Sequence, residues 1–536
     1  MEGNASIMKN IQILDCTLRD GGHIVGGMFG EKNIKHVIRK LVDANVDIVE
    51  VGFLMNEPYT TDYARFKTIA DVKRVLPQEK RNTRFSLMAD FVDLSNLEPS
   101  DGTIDFIRLS FKRFRLEWAI KTALLLKDKG YNVIINPVNC NVYSDEEYID
   151  VLKKINEIHP YGFTIVDTFG VLRLRDLSRL YYLVDANLLP DIHIGVHLHE
   201  NLGLAYSLAQ HFISINEGKR DIIIDGSLLG MGRVPGNLSI EQIMDHLNLF
   251  FYKDYELQPA LDAIDDCIFP LRRKYTWGYS TPYFLSAKYR LHRTYAEFLI
   301  DKWKIRTSDI EQILSLVDKS EAEMFNESYI ENLYRQYISV PFDDSENRIK
   351  LQDELQNREL LIIAPGKSVN DNIEKIKQYK EVRKPIVIAI HFNPNFVKTD
   401  YVFYTNIKRL EMDDNEVKKI LTSNLLRYES VSKKQMVFEY SSLAYHDGVF
   451  CDDSTLMLIN LLSNLGVNNI SIAGFDGFGA GNGSYFIHEY DRVINPDERT
   501  SIVQRLLLDS YSKMKIEYVT NSKYNNYGIG RVGKTL

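Results

Sequence analysis

Cysteine is scarce: four residues in 536, at Cys16, Cys140, Cys267 and Cys451. They are far apart and form no CxxC pair, which excludes a disulfide framework and a zinc knuckle and makes a reducing cytoplasm the expected setting. No apolar run approaches the roughly 20 residues that span a bilayer, so no membrane partner is expected. The opening residues, MEGNASIMKN, lack the apolar core of a secretion signal. Positive charge is not in excess either. A net charge of −8 gives no electrostatic reason to expect nucleic acid, whose partners usually present a basic surface.

What is present is the composition of a folded protein, 45% hydrophobic and 26% charged. The length exceeds one ordinary core, so more than one domain is expected. From residue 11 to about 245, short β-branched segments alternate with amphipathic stretches. Strands are predicted at 11–15, 46–53, 84–89, 104–110, 131–138, 162–168, 192–199 and 221–227. In the stretch Lys32 to Ala44, Ile34, Val37, Ile38, Leu41 and Val42 form one helical face. Eight strand–helix units in this length fit a closed (β/α)8 barrel better than an open doubly wound sheet.

A barrel of this kind carries its chemistry at the carboxyl ends of its strands. Polar residues gather there. The first strand ends in Arg19-Asp20-Gly21-Gly22-His23, and the second carries Glu50 in an otherwise apolar run. The fourth carries Arg108 and Ser110, and the fifth leads into Asn136, Asn139 and Asn141. Asp167-Thr168, His197-Leu198-His199-Glu200 and Asp225-Gly226-Ser227 close the last three. His197 and His199 are two apart on a strand and point to one face. With Asp20 they compose a two-histidine, one-carboxylate face with open positions, suited to Mn2+ or Mg2+.

LDCTLRDGGH, IVEVGF, IVDTFG, HLHENLG and LLGMGRVPGN, in this order, resemble the metal-dependent lyases and aldolases of the 3-hydroxy-3-methylglutaryl-CoA lyase superfamily. The resemblance covers about residues 10 to 300. The Arg-Asp-Gly-x-His form is most similar to 4-hydroxy-2-oxovalerate aldolases and implies His23 as catalytic base. Gly278-Tyr279-Ser280-Thr281-Pro282-Tyr283 is similar to the aldolases' late tyrosine motif, implying Tyr283 in the site, with Tyr279 as runner-up. Asn237 matches a further metal ligand of the lyase branch. Two departures bear on the pocket: Glu200 stands where these aldolases often have another histidine, and Phe169 where a small residue is common.

The resemblance implies a class II pyruvate aldolase that cleaves or forms a 4-hydroxy-2-oxo acid from pyruvate and an aldehyde, in the cytoplasm. Arg19 would stabilise the enolate. Glu50 would anchor Arg19 or serve as a purely structural ion pair. An acyl-CoA lyase or condensing enzyme of the same superfamily, and a non-catalytic binding scaffold, are the alternatives. A homo-oligomer is compatible with each.

The expected domains are a barrel at 1–250, a helical extension at 251–345 with a capped helix start near Ser308, a linker at 346–359 and a Rossmann-like α/β domain at 360–536. Strands are predicted from Leu360, at Ile386–Ile390, Tyr401–Tyr404, Gln435–Tyr440 and Asn469–Ala473. Gly366-Lys367-Ser368 follows the first of these, but Leu361 stands where a P-loop has its first glycine, so an ATPase is excluded. The turn reads either as a plain turn or as a cradle for phosphate. With Gly474-Phe475-Asp476-Gly477-Phe478-Gly479 it resembles the nucleotide-binding folds of bacterial surface-glycan enzymes, including sialyltransferase-like proteins. That implies a nucleotide or phosphorylated ligand near Gly366, Lys367, Ser368 and Asp476, and a second role in glycan or sugar-acid biosynthesis.

Overall fold

The computed structural model describes residues 11–302, 304–432, 434–445, 450–478 and 496–525; the opening MEGNASIMKN and Gly479 lie outside them. The chain divides into two compact units. One runs to Thr294 and takes in Asp318–Phe325; the other comprises Tyr295–Val317 and the described residues from Asn326 onward.

The first unit is a closed parallel barrel. Its strands are β1 (Ile11–Asp15), β2 (Ile48–Leu54), β3 (Arg84–Asp90), β4 (Phe106–Phe111), β5 (Asn132–Pro137), β6 (Gly162–Val166), β7 (His193–His197) and β8 (Ile222–Gly226). Each pairs with the next, and β1 pairs with both β8 and β2, which closes the ring. The predicted strands fall within two residues of these limits. Alternation along each strand explains the layering. Val49, Val51, Ile107, Leu109, Ile222 and Ile224 face outward into the large core shared with the helices, including Ile34, Val37, Ile38, Leu41 and Val42 of Glu31–Asp43. Leu14, Ile48, Phe106, Ile134 and Ile223 fill a small separate core inside the ring. Two residues further along four of these strands the inner face turns polar: Glu50, Arg108, Asn136 and Asp225, all buried. The strand period therefore places a polar floor on an apolar plug.

The second unit contains an open, all-parallel sheet. Its strands are β9 (Leu360–Ile363), β10 (Ile386–Ile390), β11 (Tyr401–Tyr404), β12 (Lys418–Thr422), β13 (Met436–Phe438), β14 (Asn469–Ala473) and β15 (Lys515–Tyr518), in the order β13-β12-β11-β10-β9-β14-β15. Adjacent strands β9 and β14 lead the chain to opposite sides, so their carboxyl ends form a topological switch point. Two strands were not anticipated. β12 opens on Lys418-Lys419, leaving a short apolar run, and β15 is an edge strand whose side chains alternate between exposed and half-buried.

Two boundaries differ from expectation. The helical stretch 251–345 is shared between the units: Tyr334 donates to Asp452, Tyr428 to Asp309, and Ser423 to the Val340 carbonyl, tying its later part to the second sheet. The polar stretch expected as a linker contains the helix Ser345–Leu355. Only Leu351 and Leu355 are buried, one turn apart, while Asn347 donates to the Val437 carbonyl at 2.8 Å. So narrow an apolar stripe reads as polar in sequence. At the start near Ser308, the helix is Thr307–Ser315, and Asp309 accepts from the Arg306 amide at 2.6 Å.

Lys304 is buried in the second unit, where it donates to the Asp452 carbonyl and lies 3.6 Å from its carboxylate. Tyr334 and Tyr440 donate to the same carboxylate at 3.1 and 2.6 Å. Burial pushes the Asp452 carboxyl up, but Lys304, Lys302 and Tyr440 outweigh it and hold it at about 2. Its stabilisation is therefore present above the unfolded carboxylate pKa of about 3.9 and is lost as pH falls toward 2. Asp452→Asn leaves the Lys304 ammonium buried without its counter-charge, and urea unfolding at neutral pH should show a loss of about 3–5 kcal/mol.

Candidate metal centre and active site

The turn after β1 brings the first group of residues to the barrel mouth. Gly21 is required there by close approach: an added Cβ would lie 2.2 Å from the Thr17 carbonyl oxygen. Asp20 directly precedes it, 3% exposed, and Arg19 beside Asp20 donates from Nη1 to Asp20 Oδ1 at 2.5 Å and from Nε to Glu50 Oε2 at 2.6 Å. Glu50 also accepts from Arg108 Nη1 at 3.3 Å. Arg108 Nη2 donates to Asn136 Oδ1 at 2.8 Å and to Asp225, and Asp225 Oδ2 lies 2.9 Å from His197 Nδ1. A continuous chain of charge-assisted bonds thus joins Asp20 to His197 through five barrel strands.

Asp20, His197 and His199 offer ligand atoms that all lie within 4.8 Å of one another. Their surroundings fit a cation. His197 Nδ1 is engaged by Asp225, and His199 Nδ1 by the Asp167 carbonyl at 2.9 Å. Such partners fix the ring and leave Nε2 as the coordinating nitrogen. His199 Nε2 is buried without a hydrogen-bond partner, and burial together with His197 lowers this imidazole to about 3, so it is neutral. Asn237 donates to Asp20 Oδ2 at 2.8 Å while its own Oδ1 is buried and unpartnered. At Gly232 an added Cβ would meet Asn237 Nδ2 at 2.3 Å and Asp20 Oδ2 at 2.7 Å, so only glycine leaves these groups their space. Arg19 and Arg108 face the carboxylates of Asp20, Glu50 and Asp225. Burial pushes the Asp20 carboxyl up, but Arg19 and the neighbouring histidines hold it well below the usual carboxylate range. Three buried anions against two cations leave a deficit of one positive charge, which a divalent ion covers.

These groups line a cavity of about 380 Å³. Arg19, Asp20, His23, His197 and His199 reach it together. His23 Nε2 lies 3.9 Å from Asp20 Oδ1, and its ring packs edge-on against Phe53 at 5.7 Å. Burial by the barrel walls lowers this imidazole to about 4, opposed by Asp20. Because 45% of the side chain faces open space, water returns part of that shift, and the ring is neutral at pH 7 either way. Phe169 and Thr168 also line the cavity.

Other residues singled out in the sequence stand elsewhere. Glu50 is fully buried between its two guanidinium partners and is not among the lining residues, which is the anchoring arrangement. Neither Tyr283 nor Tyr279 lines the cavity; Tyr283 lies in the helix Thr281–Lys288, where its carbonyl accepts from Ser286, and Tyr279 is exposed. From the same part of the chain it is His292 that lines the mouth, its Nε2 3.1 Å from Arg233 and its ring edge-on to Phe169. His292 carried no signal in sequence, since it lies beyond the last strand motif. Arg233 lay inside the quoted Gly-Arg-Val-Pro-Gly-Asn segment without a role. Asp167 accepts from the amides of Val171 and Leu172, and Glu200 from those of Ala205 and Tyr206, so both carboxylates serve the backbone.

In the second unit, Ser368 and Asp476 meet at the switch point. The Ser368 amide donates to Asp476 Oδ2 at 2.7 Å, its hydroxyl donates to Oδ1, and its Oγ lies 2.8 Å from Thr520 Oγ1. Gly366 is required by the crossing backbone, since a Cβ there would sit 2.1 Å from the Gly474 carbonyl oxygen. Lys367 is exposed. A carboxylate already takes the donors of this turn that a phosphate would use, which favours the plain-turn reading over the phosphate cradle.

Asp225→Asn removes the anion that orients His197. Calorimetric titration with Mn2+ should show affinity reduced about 10- to 100-fold, the usual effect of losing such a partner.

Part of the chain is similar to known proteins. The HMGL-like family model matches residues 110–260. The chain is 26% identical over 269 residues to 4-hydroxy-2-oxovalerate aldolase 2 of Salinispora arenicola, covering 48% of this chain and 74% of that one. It is 23% identical over 239 residues to oxaloacetate decarboxylase of Mycobacterium tuberculosis, covering 43% and 67%. With 2-isopropylmalate synthase of Salinibacter ruber the identity is 28% over 258 residues, covering 44% and 46%. These relatives share a superfamily and differ in reaction. Residues 110–260 thus match the HMGL-like family model, and the relatives that the chain is similar to include an aldolase, a decarboxylase and a synthase.

Proposed function

We propose that the barrel is a divalent-metal-dependent pyruvate aldolase, interconverting a 4-hydroxy-2-oxo acid with pyruvate and an aldehyde. The observation that carries this reading is the placement of His23 in one cavity with Asp20, His197 and His199. A ligand set alone suits any member of the superfamily; a neutral imidazole beside it supplies the base that a 4-hydroxyl needs.

Asp20, His197 and His199, with Asn237 as a further oxygen donor, would hold Mn2+ or Mg2+, the ions favoured by mixed nitrogen and oxygen ligands. The ion's chemistry is Lewis-acid polarisation of the 2-oxo group. In the cleavage direction His23 takes the proton of the 4-hydroxyl. The C3–C4 bond then breaks, its electron pair passing to C3 to give the enolate of pyruvate, and the 4-carbon leaves as the aldehyde. Arg19 stabilises the enolate oxygen: its Nε and Nη1 are held by Glu50 and Asp20, so Nη2 is the donor left without a protein partner among the described residues. Protonation at C3 yields pyruvate. Condensation is the reverse, with His23 returning the proton.

Exchange of pyruvate's methyl protons with deuterium oxide, followed by NMR, tests the reading. It should require added Mn2+ and cease with chelator; metal-independent or absent exchange would count against an aldolase. His23→Ala should lower turnover of the 4-hydroxy-2-oxo acid by about 10²- to 10⁴-fold while Mn2+ affinity is retained. Parallel loss of Mn2+ binding would make His23 a structural neighbour of Asp20 rather than the base.

A further inference from the structure

The cavity continues outward past the residues just described, and its charge changes sign on the way. Lys112 follows the end of β4 and lies four residues beyond Arg108, about 13 Å further along the strand direction. Arg115 lies on the turn after it and stacks over the Phe91 ring at 3.6 Å. Arg233 reaches the same space from the other side of the ring, after β8, with its guanidinium held against His292 at 3.1 Å. All three are half-buried, unlike the fully buried Arg19 and Arg108.

The floor and the rim are balanced differently. In the floor every guanidinium has a carboxylate partner. At the rim the lining carboxylates are Asp90 and Glu323. Glu323 is committed to Arg113 at 3.3 Å. Asp90 faces Arg115 and Lys112 together, and burial nonetheless raises its carboxyl above the usual range. The Lys112 ammonium makes no salt bridge or hydrogen bond among the described residues. His292 registers the resulting field: burial and then Arg233, Arg293 and Lys112 lower it to about 4, which keeps it a neutral acceptor for Arg233. The cavity therefore has a floor whose fixed charges sum to −1 before any divalent ion is counted, and a cationic rim.

Such a rim has no use for pyruvate, whose carboxylate belongs with its keto oxygen at the floor, or for a small neutral aldehyde. A cleft lined by one sign of charge concentrates ligands of the other. We propose, on the basis of the aldolase reading, that the aldehyde substrate carries an anionic group, a carboxylate or a phosphate, at the end away from its carbonyl, and that Lys112, Arg115 and Arg233 hold it. The reaction at C3 and C4 is unchanged; the rim sets which aldehyde is accepted and the depth at which its carbonyl stops.

The test uses the full chain with Mn2+ and compares condensation of pyruvate with propanal, succinic semialdehyde and glyceraldehyde 3-phosphate. At low salt, kcat/KM should favour at least one charged aldehyde over propanal by about tenfold or more, and that advantage should shrink at high salt as the rim is screened. The charged aldehyde that wins distinguishes carboxylate from phosphate. In Lys112→Met the ratio of charged to neutral kcat/KM should fall about tenfold. The salt comparison needs no variant, so misfolding of Lys112→Met would not remove the test. Metal-dependent pyruvate exchange in the same preparation separates the two levels of the argument. Exchange intact with no preference for, or no turnover of, the charged aldehydes overturns the assignment of the rim alone. Absent exchange overturns the aldolase reading and this inference with it.

Discussion

Two guanidinium groups lie inside the barrel, and Glu50 is the carboxylate they share. Arg19 and Arg108 approach the same oxygen, Oε2, from β1 and β4, at 2.6 and 3.3 Å. Buried charges persist only when paired and hydrogen-bonded, and removing one partner leaves the others uncompensated. Around Glu50 this constraint extends to every neighbour: Asp20 is fixed by Arg19, Asp225 by Arg108, and His197 by Asp225. The orientation of the candidate metal ligands therefore depends on a carboxylate, Glu50, that does not itself line the cavity.

The barrel supplies this arrangement cheaply. Ile48 and Glu50, Phe106 and Arg108, Ile134 and Asn136, and Ile223 and Asp225 are each two residues apart on strands of the same ring. One step of the strand period thus converts an apolar plug into a polar floor on four of the eight strands. The C-terminal sheet shows the contrasting solution. Its switch point is closed by the chain's own groups, with Asp476 on the Ser368 amide and Thr520 bridging Ser368 and Gly474.

Much of this was legible in the sequence because it rested on period and order. The barrel strands and the facing of Ile34, Val37, Ile38, Leu41 and Val42 follow from alternation and helical spacing alone. Asp20, His197 and His199 were legible because they stand at strand ends, where a barrel brings distant residues together. The role of Asp225 was not, since nothing local marks which strand-end acid will meet His197; Asp167 is equally acidic and turns to the amides of Val171 and Leu172 instead. Tyr283 lies in a helix after the barrel and His292 in the connection that follows that helix, where no strand period fixes direction. The helix Ser345–Leu355 was hidden because a two-leucine stripe in eleven residues has the composition of a linker.

The bond between Arg108 and Asp225 also has a timescale. The two residues are 117 positions apart. At about 5–20 residues per second, Asp225 is added about 6–23 s after Arg108. Through that interval the strands from β1 to β5 can pair, yet Arg108 lacks one of the two carboxylates that neutralise it in the closed ring. Closing the barrel and settling its buried charge are therefore one late event in the life of the nascent chain, and the candidate metal ligands acquire their geometry only then.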